Sequence, residues 1–503
     1  MTVQTPVILS TDPPGLAEIV RIARHRAPVK IAGDLTVLLE KSRAVIERQL
    51  GENAPVYGLT TGLGAGVDTR LEPSDIAAFQ QRVPEARAVG VGAGLSSEVV
   101  RAVMAARLAG FASGGAGVSP GVVASLAAAL NAGFHPVIHA LGSIGAADLA
   151  PLSDMARGLL GHGEVEFGGE IMDAGKALEK AGLPPLTLGP RDGHALVVGN
   201  SLSIGQACLA IDDLIRTLDW SFAAVALSFE AFRANVTVID PRALSRRPAF
   251  GQEIAGKRLA DMLSGSGLFE PDAARRLQDP VSYRCAPQIW GALIHALEEA
   301  TVATEIEIAG AGDNPVVLVE ENALIHNGNF DTTAFALSFE RLGLAIAQCA
   351  SATAHRTMKI MSPGISELPR FLTPRGASRT GFATVQKTVS ALEAEIRHLA
   401  NPVAFSPIPV ADGIEDHASM APSVMAKTVA IIERFRWLVA IELIATGQAV
   451  DLRGVESLGA GASAAYHKVR SVVEPLDEDR AQAPDFSRMS DFIRVNGLMH
   501  EVQ

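Results

Sequence analysis

The sequence predicts a mainly α chain, an elongated bundle of long helices preceded by a smaller region of mixed structure. Three observations predict it. Apolar residues recur at spacings of three and four over 195–230, 286–309, 332–361, 380–398 and 420–449, the period of an α-helix sustained for many turns. Alanine is abundant and aromatics make up only 5% of the chain, which suits long helices packed side by side and against other copies. Gly- and Pro-rich joints at 113–120, 142–151 and 183–190 separate four shorter helical patterns ahead of them.

The elements follow in order. Residues 1 to 60 mix a β-like run at 6–9, a helical segment at 35–49 and a loop that starts at Tyr57. The four shorter helices come next, then the long ones, and finally a charged, Pro-interrupted end. This divides the chain into an N-terminal, mainly α domain over residues 1–192, a central long-helix bundle over 193–471 and a capping tail over 472–503. Internal repeats and low-complexity segments are absent from the sequence.

Composition narrows the function. With 503 residues, 48% hydrophobic and 19% charged, the chain reads as fully folded. A net charge of -12 without a basic run argues against nucleic acid or an anionic membrane surface and leaves small molecules as partners. Cys208, Cys285 and Cys349 are widely spaced and form no disulfide or zinc pattern, so a reduced, cytoplasmic setting and no metal are expected. The N-terminus has no basic start or long apolar region, and no run of 18 uncharged apolar residues occurs, so neither an export signal nor a membrane span is expected.

Four segments carry possible chemistry. In 57–64, Gly58, Gly62 and Gly64 permit left-handed backbone while Thr60 and Thr61 hydrogen-bond locally, which would hold the Tyr57 phenol in place; a plain surface turn explains the same residues. In 142–152, a tight Gly/Ala turn precedes a helix that Asp148 is placed to cap. Segments 278–288, 312–315 and 326–330 offer Arg284, a planar fork suited to a carboxylate, among groups that solvent or structural pairing also explains. In 413–420, Glu415, Asp416 and His417 stand ahead of a long helix. Lys387, in an otherwise apolar helical stretch, either meets an anion such as Glu415 or lies on an exposed polar face.

Taken together and in this order, the motifs resemble those of the aromatic amino acid ammonia-lyase family over residues 30–460. They are Tyr57-Gly-Leu-Thr-Thr-Gly, GSxG with DLAPL at 142–152, SxRCAPQ at 282–288, DNP at 313–315, NGNF at 327–330, LPxFL at 368–372 and EDHxSM at 415–420. The resemblance implies a homotetramer of long helices with each active site assembled from three subunits. It also implies an internal Ala-Ser-Gly that cyclises to a methylidene-imidazolone, the electrophile that captures the substrate amine. Here Gly145 is followed by Ala146, Ala147 and Asp148, one residue shorter and without the serine. Other family positions differ too. The second catalytic tyrosine is Val281, with Tyr283 two places on; Asn-Gly-Thr is Val198-Gly199-Asn200; the ring-reading Ser-His is Ala86-Arg87; and the Gln before Glu-Asp-His is Ile414.

Without the electrophile, an α-amine is a poor leaving group, whereas a quaternary nitrogen is permanently cationic and departs as a neutral tertiary amine. The sequence therefore resembles the cofactor-free, ergothionase-like branch of the family, which eliminates trimethylamine from an aromatic betaine. By that resemblance Tyr57 is the base for the β-proton and Arg284 holds the carboxylate. A phenol titrates near 10, so such a base needs neighbouring cations or donors. Lys387, oriented by Glu415, would stabilise charge on the ring, with Arg87 as the competing choice. Tyr283 would face the trimethylammonium head. Asn200 and Asn329 complete the substrate-binding set, and no cofactor is expected. The alternatives are an ordinary ammonia-lyase that carries the cyclised cofactor, or an inactive ligand-binding member.

Overall fold

A computed structural model of the chain describes residues 4–52, 54–405 and 407–498. It is mainly helical, as the periodicity predicts. The long helices are Ser201–Phe232, Ala286–Ala309, Thr333–Ile360, Val385–Leu399 and Ala421–Arg453. The first starts later than its apolar pattern, because a short helix Asp192–Val197 ends at Val198 and Gly199 turns the chain at φ +155°. One stretch, 192–232, has the length and apolar character of a membrane span, and it is buried as a core helix.

The residues group into two compact units that cut across chain order. The first comprises the described residues up to Leu209 together with Thr301–Ser338 and Pro402–Ala426. The second comprises Ala210–Ala300, Phe339–Asn401 and the described residues from Lys427 on. Chain order and spatial grouping diverge because segments 301–338 and 402–426 return to the first unit from the ends of long helices.

In the first unit the strands are short and peripheral. Val7–Leu9 pairs in parallel with Val29–Ile31, and Val316–Leu318 forms a hairpin with Ala323–Ile325. Helix Ser97–Ala112 is buried on almost every side, which its run of Ala, Val and Leu allows. Ser96 starts it by accepting the Val99 amide. Its two buried cations have partners: Arg101 donates to the carbonyls of Ile22 and Leu130, and Arg107 pairs with Asp313 at 2.9 Å, while Arg107 Nε is left without one among the described residues.

The second unit has its own core around Trp220, Trp290 and Phe222. Arg356 and Glu442 form a fully buried pair at 2.7 Å, with the guanidinium over the Trp290 ring. The C-terminal end belongs to this unit: helix Ala483–Val495 buries Phe486, Met489 and Ile493, and the Trp220 indole donates to the Asn496 carbonyl at 2.7 Å.

Candidate active site

The loop at Tyr57 is a built structure. The amides of Leu59, Thr60 and Thr61 all donate to the Val56 carbonyl, and the Thr60 hydroxyl accepts the Val56 amide at 2.8 Å. Gly58 sits at φ +66°, and a Cβ there would lie 2.4 Å from His194 Nδ1, so both backbone and space require glycine. Gly64 donates its amide to Tyr57 Oη at 2.9 Å. The phenol oxygen is thus held as an acceptor at the wall of a cavity of about 360 Å³, lined also by Arg87, Ala146, Ala147, His194 and Glu415.

Helix Ile76–Arg87 fixes two of these groups. The Gln80 amide donates to the Gly58 carbonyl at 2.9 Å and accepts the His194 amide at 3.0 Å, tying the Tyr57 loop to the short helix that carries His194. Arg87 ends the same helix, and burial pulls its guanidinium down from its ordinary value against the opposing attraction of Tyr57 and Glu415. The His194 ring stands edge-on to Tyr57, 5.6 Å between centroids. Burial, reinforced by Arg191, Arg87 and Arg107, holds its pKa well below the ordinary value, so it is a neutral imidazole.

The Gly/Ala turn and the Glu415 segment are locked together. Gly145, at φ +82°, leaves room for Ser419, whose Oγ would be 2.6 Å from a Cβ, and the Met420 amide donates to the Ile144 carbonyl at 2.9 Å. Asp148 does not cap the helix that follows it. Its carboxylate accepts the Ser143 hydroxyl at 2.8 Å and the Ser203 amide at 3.0 Å, in the first turn of Ser201–Phe232, because the chain at Ala147 (φ +61°) turns it toward that helix. Full burial raises its pKa to about 6 despite these donors.

This turn does not fit the methylidene-imidazolone that the family resemblance implies. Between Gly145 and Asp148 it presents only the methyl groups of Ala146 and Ala147, and both line the cavity. The one hydroxyl of the turn, Ser143, is bonded to Asp148 and to the Gly145 amide.

The sequence-predicted site residues divide in two. Tyr57, Arg87 and Glu415 meet at the cavity. Asn200 lies beside it: its amide donates to the carbonyl of Phe330, a wall residue, at 2.9 Å, and its buried Oδ1 has no partner. Asn329 is exposed and bonds within its own loop and to Ala311, so the wall is formed by its neighbour Phe330 instead. Arg284, Lys387 and Tyr283 belong to the second unit. Arg284 donates to Gln278, and Lys387 is exposed on Val385–Leu399. Tyr283 is not a ligand-facing aromatic: it is fully buried, stacked on Phe232 at 4.2 Å and bonded to the Ser228 hydroxyl at 3.1 Å, which leaves no open ring face. Sequence reasoning missed His194, Asn314 and His326, which also line the cavity. His194 carried one signal, a polar residue two places after Asp192 in an otherwise apolar run.

The aromatic amino acid lyase family model matches residues 15–471. A histidine ammonia-lyase of Alkaliphilus metalliredigens is 35% identical over 97% of this chain and 96% of its own length. Among solved structures, ergothionase from Treponema denticola, in complex with desmethyl-ergothioneine sulfonic acid, superposes with a TM-score of 0.93 at 32% identity, covering 98% of this chain and all of that one. Histidine ammonia-lyase from Trypanosoma cruzi superposes at 0.90 with 27% identity, covering 98% of this chain and 94% of its own. A helical fold shared from end to end and a family match over most of the length make this chain a member of the aromatic amino acid lyase family.

Proposed function

We propose that the chain is a carbon-nitrogen lyase that eliminates trimethylamine from the betaine of an aromatic amino acid, with ergothioneine going to thiourocanate. The observation that carries this reading is the pair Ala146-Ala147 at the cavity wall, where the family's electrophile would form from a serine. An enzyme that cannot bond the substrate nitrogen suits a substrate whose nitrogen has no lone pair to give. Similarity to ergothionase across the whole chain supports the same choice.

In this reading the phenolate oxygen of Tyr57 takes the β-proton. The C–H electron pair becomes the Cα=Cβ bond, and the Cα–N bond breaks with its pair leaving on trimethylamine. The Gly64 amide aims Oη, and Arg87, attracted by both Tyr57 and Glu415, supplies positive charge at the same cavity. Arg284 receives the carboxylate, and Lys387 meets Glu415 to stabilise charge on the ring. Both come from neighbouring copies in a homotetramer, which accounts for their absence from the lining of the Tyr57 cavity.

The competing reading is deamination of histidine, favoured by the identity to histidine ammonia-lyases. Intact mass separates the two. The proposal requires the mass of the unmodified sequence and no ammonia from histidine; a chain lighter by two waters that deaminates histidine would replace it.

A further inference from the structure

We infer that His194 is a substrate-contacting hydrogen-bond donor, its proton fixed on Nε2 by Arg191. The assignment rests on the proposed betaine substrate for the identity of the acceptor, and on geometry alone for the tautomer.

Arg191 Nη1 lies 2.5 Å from His194 Nδ1. A guanidinium has only N–H groups to offer, so Nδ1 must be the acceptor and cannot carry a proton. A neutral imidazole then holds its single proton on Nε2. Arg191 is itself immobilised: it is fully buried and donates to the carbonyls of Ala116, Tyr57 and Pro315. The flipped ring would set the carbon Cδ2 against the Arg191 N–H and lose this bond, so the hydrogen bond itself selects the orientation. Among the described residues, no hydrogen-bond partner meets Nε2, and His194 lines the cavity beside Tyr57. The Nε2 proton therefore opens on the cavity, where a substrate acceptor can take the place of solvent.

The surroundings select that acceptor. Arg87, Arg107 and Arg191 all act on His194; Asp313 pairs with Arg107 and also attracts Arg191, and Glu415 attracts Arg87, so three guanidiniums face two carboxylates and the balance is positive. This field favours an anionic or strongly electron-rich group. A betaine of this class offers two: its carboxylate and, in ergothioneine, the ring sulfur. His194 therefore recognises the substrate through one of them, and Arg191 acts as a positioning residue through His194.

The test compares wild type, His194→Leu and His194→Gln with ergothioneine and with hercynine, the same betaine without ring sulfur. His194→Leu is expected to lose about 10- to 100-fold in kcat/KM, with some activity restored by His194→Gln, which keeps an N–H donor. Equal losses on both substrates identify the carboxylate, and a loss confined to ergothioneine identifies the sulfur. Unchanged kcat/KM for His194→Leu on both overturns the assignment. Nitrogen NMR of the full-length protein labelled at histidine needs no turnover and so separates this inference from the substrate proposal. The expected His194 signal shows Nδ1 bare and Nε2 protonated at pH 7, a pattern lost in Arg191→Met and kept in Arg191→Lys; a proton on Nδ1 in the wild type would refute it even if no betaine reacts.

Discussion

Gly64 donates its amide to the Tyr57 hydroxyl oxygen across only seven residues of chain, at 2.9 Å, so the loop that carries the phenol also aims it. The donor occupies one acceptor site of Oη and leaves the other free to receive a proton. In the proposed mechanism that free site is the one that takes the β-proton.

Tyr57→Phe removes the proposed base and keeps the ring that packs on His194. Turnover of the betaine is expected to fall by about 100- to 10,000-fold with substrate binding retained, checked by steady-state kinetics and by titration calorimetry with the same substrate. Full activity in this variant would assign the base elsewhere.

Gly58→Ala places a methyl group 2.4 Å from His194 Nδ1 at a backbone φ of +66°. The strain is expected to cost about 1 to 3 kcal/mol of stability and to displace the Tyr57 loop, so Tm and kcat fall together. Thermal unfolding and kinetics on one preparation check both.

Asp148 makes a pH-dependent contribution of unusual sign. Its folded-state pKa is about 6 against an ordinary 3.8, so between these values the folded chain holds a proton that the unfolded chain has released. Its contribution to stability is therefore present below about pH 4 and lost as the pH rises through 6. Asp148→Asn removes this titration. The stability of wild type relative to the variant is expected to decline by about 3 kcal/mol from pH 4 to pH 7, measured by denaturant unfolding at each pH. A flat difference would show that Asp148 titrates normally.

The proposal that sites are shared between copies makes a further demand. Tyr57→Phe and Lys387→Met should each be inactive alone. Unfolded and refolded together they should regain some of the activity, because mixed tetramers contain some sites with both native groups. Absence of any recovery, with tetramers confirmed by light scattering, would place Tyr57 and Lys387 in sites built from one copy.

The long helices were legible because a 3.6-residue period over twenty or more residues has no other structural explanation, and 286–309 and 332–361 coincide with Ala286–Ala309 and Thr333–Ile360 within a residue. Tyr57 and Glu415 were legible because their motifs are local, and Arg87 because it stands where the family pattern has another residue. Three features were not. Tyr283 has the chemistry of a cation-binding face, but residue type does not say whether a face is open, and Phe232 covers it. Asp148 precedes one helix and caps another, because its carboxylate follows the turn at Ala147 and not the order of the chain. The state of His194 depends on Arg191, Gln80 and Gly58, which converge on it only once the chain is folded.

The most direct measurement is the identity of the amine released by the purified enzyme. With ergothioneine, the account predicts one equivalent of trimethylamine for each conjugated acrylate formed, and no ammonia from histidine under the same conditions. Ammonia from histidine, with ergothioneine left intact, would contradict it.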